Sequence, residues 1–125
     1  MVDDGAAGVI TGKDERKTKT MYSIDNLKKF PKLGSLAPEA MTTFGAYDKA
    51  ALADGAIPKQ YKELMAIAVA LTTQCPYCIE VHRLEAVKAG ATEEQLAEVV
   101  FVASALRAGA AITHGTHLFG NETAA

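Results

Sequence analysis

Tryptophan is absent from this 125-residue chain, and aromatic residues make up only 6% of it. Strand-built cores lean on aromatic and β-branched side chains, so the composition argues against a β-sandwich. Much of the 49% hydrophobic fraction is alanine instead, which favours closely packed helices. An excess of one charge is missing too. With 13 Lys and Arg against 15 Asp and Glu, the formal net charge is −2, and no basic face for nucleic acid is in view. No apolar run reaches the roughly 18 residues expected of a membrane span. The opening "MVDDGAAGVITGKDERKTKT" lacks the hydrophobic centre of a secretory signal. The expected setting is cytoplasmic, with no nucleic-acid or membrane partner. Cysteine is scarce, and both copies fall in "TTQCPYCIEVH". Two cysteines in a reducing compartment make a poor structural staple. A Cys75–Cys78 bridge would close so small a loop that chain entropy gives it only about 2 kcal/mol before strain. If these thiols pair, chemistry is the better reason.

The chain reads as one domain over 20–120, with a flexible segment 1–19 before it and a short tail 121–125. "YSIDNLKKF" predicts a short helix from near Ser23 that stops before Pro31, and "PKLG" a turn. "PEAMTTFGAYDKAALADG" predicts a helix with Pro38 in its first turn and Gly55 past its end. The next helix starts at Pro58. Leu64 to Leu71 is apolar at every position, which predicts a central helix with neighbours on all sides. "PYCIEVHRLEAVKAG" gives a further helix stopped at Gly90. Thr92 and Gln95 form a capping-box pattern opening the last long helix, which extends toward "AAITHGTHLFG". From Val99 to Leu106 only Ser104 is polar, so part of that helix is expected to be buried against another subunit. The fold class is all-α, a compact bundle of about five to six helices assembled as a homo-oligomer.

Pro76 in a first helical turn places Cys75 at or just before the N-cap, facing unpaired N–H groups and the positive end of the helix dipole. Both favour a thiolate. Cys78 lies one turn on, and His82 four residues after it, so the three share a helix face. An imidazole one turn from a thiol can take its proton, directly or through a water. On the preceding helix, Glu63 sits on an apolar stripe, where a carboxylate needs a partner. In an antiparallel hairpin bent near Thr72–Thr73, Glu63 and His82 lie level. The expected chain is Glu63, His82, Cys78, with Cys75 beyond. Activated Cys78 would attack a peroxide and become a sulfenic acid, and Cys75 would condense with it to a disulfide. An external dithiol or redox-protein electron donor would then restore the pair. Alternatively, the pair passes electrons between protein disulfides.

Other readings stand beside this one. Cys75, Cys78 and His82 could hold zinc, with Glu63, His114 or His117 as a fourth ligand, making the protein a structural oligomeric module. Three ligands on two consecutive turns would crowd a tetrahedral site. Glu63 could simply pair with Lys59 or Lys62. His114 and His117 read as surface residues at a helix C-terminus. Tyr77, inside the motif, reads as a rim residue with a possible substrate contact, and Arg107 as a solvated or intersubunit charge.

Glu63, eleven residues, Cys75-x-x-Cys78, three residues and His82: this pattern resembles the active-site signature of the alkylhydroperoxidase AhpD-like branch of the carboxymuconolactone decarboxylase family. The resemblance runs over about residues 37–118. It implies an all-helical fold assembled as homotrimers or homohexamers, acting on hydroperoxide without a bound cofactor. It implies that Cys78 reacts with peroxide, that Cys75 resolves, and that Glu63 and His82 relay protons. AhpD proper carries a second histidine before the second cysteine, where this chain has Tyr77. The small decarboxylases of the family lack the cysteine pair, so its presence argues against decarboxylation, the alternative activity.

Overall fold

The structure, a computed structural model, describes residues 22–121. The expected flexible segment 1–19 lies outside them, as do residues 122–125 of the expected tail. The described residues form five α-helices and two short 3-10 turns, with no strand among them. The helices are α1 (Phe30–Leu36), α2 (Pro38–Leu52), α3 (Lys59–Thr73), α4 (Pro76–Lys88) and α5 (Glu93–Gly115). All-α is thus the fold class.

The N-terminal part departs from expectation. Ser23 caps a 3-10 turn over Ile24–Lys29, accepting from the Asp25 N–H. The chain does not stop at Pro31. That proline sits in the first turn of α1, where a missing N–H costs nothing. "PKLG" is therefore helix, not turn. Gly34 lets α1 approach α2 closely, since a Cβ there would come within 3.0 Å of the Met41 side chain.

Each later boundary has a local cause. Lys62 donates to the carbonyls of Ala51 (3.0 Å) and Ala53 (2.7 Å) at the C-terminus of α2. Asp54 accepts the Lys59 N–H at 2.9 Å and anchors the start of α3. Gln74, left-handed at φ 56°, ends α3. The N–H of Cys75 then folds back to the Ala70 carbonyl at 3.1 Å. Gly90, at φ 94°, ends α4 in a conformation glycine adopts without strain. Thr92 and Gln95 form the complete capping box expected of α5.

α3 packs along both α4 and α5, and its contact with α2 is lighter. Leu64, Ile67 and Ala86 form the buried centre, with Leu71, Leu96 and Val99 against it. The expectation that α3 has neighbours on all sides fails on one face, where Met65 and Val69 are more than half exposed. The described residues hold too few elements to cover both α3 and α5. Along α5, Phe101 is 74% and Ile112 76% exposed. By length and composition alone, Glu93–Leu118 is apolar enough to cross a membrane, which revises the reading that no segment was. Ser104 and Arg107 interrupt that run, and Ala103 is buried within it.

Candidate active site

The α3–α4 hairpin sets the site. The sharp bend at Gln74 lets α4 return along α3, so residues equally far from the bend come level. Glu63 and His82 meet there, with Glu63 Oε2 2.7 Å from His82 Nδ1. The other carboxylate oxygen, Oε1, accepts from Lys59 Nζ at 3.0 Å. Glu63 is 1% exposed, so the two contacts partner both oxygens of a fully buried acid. Lys62, the other lysine considered for Glu63, is occupied at the end of α2. When His82 donates through Nδ1, its Nε2 is the nitrogen left to exchange a proton.

This pair opens into a groove of ≈ 460 Å³. Asp48, Lys49 and Leu52 of α2 form one wall, and Val81, His82 and Glu85 of α4 the other. The groove is both charged and apolar, so it can take a small organic molecule with a polar end.

Cys75 is the N-cap of α4, and its Sγ accepts the Cys78 N–H at 3.3 Å. Both cysteines are free thiols, partly exposed. Their proton affinities diverge. The Cys75 thiol is held below its ordinary value, first by a hydrogen bond from the Cys78 side chain and then by the N–H groups of Cys78 and Tyr77. The Cys78 thiol is pushed up to about 11, first by that same bond, then by burial and by repulsion from Cys75. Of the two sulfurs, Cys75 is the one that holds its proton more weakly. The expectation that Cys78 is the activated thiol rests on its spacing to His82; the N-cap position gives Cys75 backbone N–H groups from both Cys78 and Tyr77, against one for Cys78.

The structure brings Glu63 to His82 and Cys75 to Cys78. It does not join the two pairs directly. Among the described residues, no hydrogen bond links His82 to either sulfur, and no three His, Cys, Asp or Glu side chains gather as metal ligands. The zinc alternative lacks its ligand set. His114, in the last turn of α5, and His117, just beyond it, stack on each other at 5.9 Å and join neither pair. Tyr77 is held from the N-terminal side: Asn26 Nδ2 donates to its hydroxyl at 2.9 Å, and the Tyr22 ring lies 6.1 Å away. Sequence reasoning placed Lys59 only as a possible partner of Glu63 and passed over Asp48 and Glu85. The i, i+4 spacing of Lys59 and Glu63 was the available signal for the first.

A dithiol at a helix N-terminus, beside a buried acid–imidazole pair on a helical hairpin, defines a class of small all-helical protein. The chain belongs to the carboxymuconolactone decarboxylase family, whose model matches residues 38–119. That family includes enzymes. The chain is 52% identical over 71 residues to a Paracoccus denitrificans protein called uncharacterized protein 4 in cox locus, a match covering 57% of this chain and 64% of that one. It is 41% identical over 75 residues to an uncharacterized protein of Cupriavidus necator, covering 60% and 66%. The chain thus spans just under two thirds of those relatives' length. Among solved structures, it is similar to an apo carboxymuconolactone decarboxylase family protein from Legionella pneumophila. That likeness has a TM-score of 0.62 and 40% identity, covering 66% of this chain and 73% of that one. A protein from Methanobacterium thermoautotrophicum gives 0.63 at 32% identity, covering 66% and 93%.

Proposed function

We propose that the protein is an AhpD-like thiol oxidoreductase that reduces hydroperoxides through the Cys75–Cys78 pair. The observation that carries this reading is the polarised dithiol: Cys75 as N-cap sulfur with a lowered proton affinity, beside Cys78 pushed up to about 11. A thiolate at a helix N-terminus with a protonated neighbour is arranged to attack first and be resolved second.

Cys75 thiolate attacks the terminal oxygen of the hydroperoxide. The O–O bond breaks, Cys75 becomes a sulfenic acid, and the departing alkoxide takes a proton to become an alcohol. Cys78 then attacks the sulfenic sulfur, the disulfide forms, and water leaves. With a thiol this basic, the second step needs a base. His82 stands one turn from Cys78, oriented by Glu63, and acts through a water or the reactant. An external dithiol or dithiol protein reduces the disulfide by exchange and is itself oxidised. Such a pair must be kept reduced between turnovers, which suits the cytoplasm. The uncovered face of α5 supports assembly with further copies of the chain.

The test is consumption of an organic hydroperoxide with a dithiol reductant. Cys75→Ser should abolish turnover, and Cys78→Ser should stop it after one sulfenic acid per chain, trapped by a dimedone-type probe. Wild-type turnover in either variant would remove the dithiol mechanism. Lactone decarboxylation retained when both cysteines are replaced would favour the decarboxylase reading instead.

A further inference from the structure

Lys59 lies outside the Glu–CxxC–His pattern, yet it holds one end of the site. Its ammonium takes Oε1 of Glu63 at 3.0 Å while His82 takes Oε2 at 2.7 Å. Its own backbone N–H is fixed separately by Asp54 at 2.9 Å. The side chain is therefore not needed to start α3. Building on the relay reading above, we propose that Lys59 is a positioning residue of the acid–base pair. It divides the Glu63 carboxylate between an ammonium and an imidazole, fixes which oxygen faces the ring, and limits how tightly that ring holds a proton.

The physical reason is charge sharing. A buried carboxylate facing one imidazole alone spends its whole negative charge on that ring, and favours imidazolium. Imidazolium cannot accept a proton from Cys78. A second cation on the same carboxylate offsets that field. It also leaves no carboxylate oxygen unpartnered in the core. The other ionisable groups facing His82 are Asp48 and Lys49 from α2, and Cys78 and Glu85 from its own helix. Glu85 is itself paired with Lys88 at 2.8 Å. Among the described residues α5 adds no ionisable side chain to the groove. Asp48 and Lys49 are opposite charges on one wall, so Lys59 is the cation bonded to the acid that orients the ring.

The experiment compares wild type with Lys59→Met, which keeps the stem without the charge, and Lys59→Arg, which keeps the charge. Two readouts are followed from pH 5 to 10: the rate of Cys75–Cys78 disulfide formation with an organic hydroperoxide, and the NMR resonance of the His82 ring, assigned by its loss in His82→Gln. Two cationic groups held on one carboxylate lie roughly 6–7 Å apart, and for a half-exposed lysine that predicts an effect of about one pH unit. In Lys59→Met, both the rate profile and the ring titration should move about one unit alkaline, with the plateau rate kept. Lys59→Arg should restore both. A merely structural role would lower the rate at every pH without moving either midpoint. Unmoved midpoints in Lys59→Met, with the protein folded by circular dichroism, overturn the proposal. The ring titration needs no peroxide. If wild type forms no disulfide but the ring titration still shifts, the thiol reading fails and the role of Lys59 stands.

Discussion

Replacing Cys75 by serine should make Cys78 more reactive, although it removes the better nucleophile of the pair. Serine is a good N-cap, so the start of α4 survives the change. What is lost is the sulfur whose hydrogen bond and negative charge hold the proton on Cys78. At pH 7 a thiol titrating at about 11 is ionised in roughly one molecule in ten thousand. Burial is the second cause of that shift and remains in the variant, so a fall of about one unit is the reasonable expectation. The thiolate fraction then rises about tenfold. Nucleophilicity falls with basicity, with a Brønsted slope near 0.4–0.5, and takes back about threefold. The net expectation is about a threefold faster alkylation of Cys78 at pH 7, growing if more of the shift is relieved. The assay is iodoacetamide labelling from pH 6 to 11, with each cysteine peptide followed by mass spectrometry. The converse variant, Cys78→Ala, takes from Cys75 its largest support, so Cys75 should label more slowly below pH 8 than in wild type. A wild-type labelling curve for Cys78 in Cys75→Ser, with its midpoint still near 11, would refute the shared proton and the choice of Cys75 as entry sulfur.

Glu63→Gln keeps the shape of the buried side chain but removes the charge that both His82 and Lys59 bind. The 2.7 Å bond to His82 is charge-assisted and worth about 1.5–3 kcal/mol, while the half-exposed Lys59 adds less than about 1 kcal/mol. Urea unfolding at fixed protein concentration should show a loss of about 2–3 kcal/mol, and a loss under about 0.5 kcal/mol would contradict a buried ion pair. Phe101→Glu places a charge in the centre of the uncovered face of α5. In size exclusion with light scattering, wild type should run well above the 13.2 kDa chain, and the variant should shift toward that mass. A single-chain wild type would remove the subunit-contact reading.

Local signals carried most of the fold. Thr92 with Gln95, Gly90, Pro38 and Pro76 each mark a helix end by short-range chemistry, and the helices begin and stop at or beside them. Pro31 misled because a proline reads equally well as a stop for one helix and as the first turn of the next. Here the helix that Pro31 opens packs against α2, with Gly34 close to Met41. The level placement of Glu63 and His82 was readable because a hairpin with a short bend fixes register by counting residues from the bend. The polarity of the dithiol was only half readable. Spacing puts Cys75, Cys78 and His82 on one helix face, but it does not say which sulfur the backbone N–H groups reach. The i, i+4 spacing of Lys59 and Glu63 was there to be read, but the α2 wall of the groove depends on how α2 sits against α3 and α4, and no periodicity encodes that.

Stability alone gives a poor reason for Glu63 to be where it is. A carboxylate at 1% exposure has given up its hydration, and exchanging a buried ion pair for apolar side chains of similar volume is often neutral or stabilising. The apolar neighbours Leu64 and Ile67 show that this layer could hold an aliphatic residue. What such a residue could not do is fix a ring nitrogen and set its proton affinity. His82 lies four residues beyond Cys78, about 6 Å along the helix, and no direct bond spans the gap. In the proposed relay, the acid–base pair would therefore communicate with the dithiol only when a water or a reactant fills the space between them. In the proposed mechanism, proton transfer would be gated by occupancy of the site, and the basic Cys78 would stay protonated until there is a sulfenic sulfur to attack. On this account, burying Glu63 is the cost of keeping the resolving thiol silent between turnovers. A variant with Glu63→Leu and His82→Leu together should keep or exceed wild-type stability in urea while disulfide formation slows at every pH below about 9. If that double variant instead unfolds as readily as Glu63→Gln, the pair is chiefly structural, and its place in the relay falls.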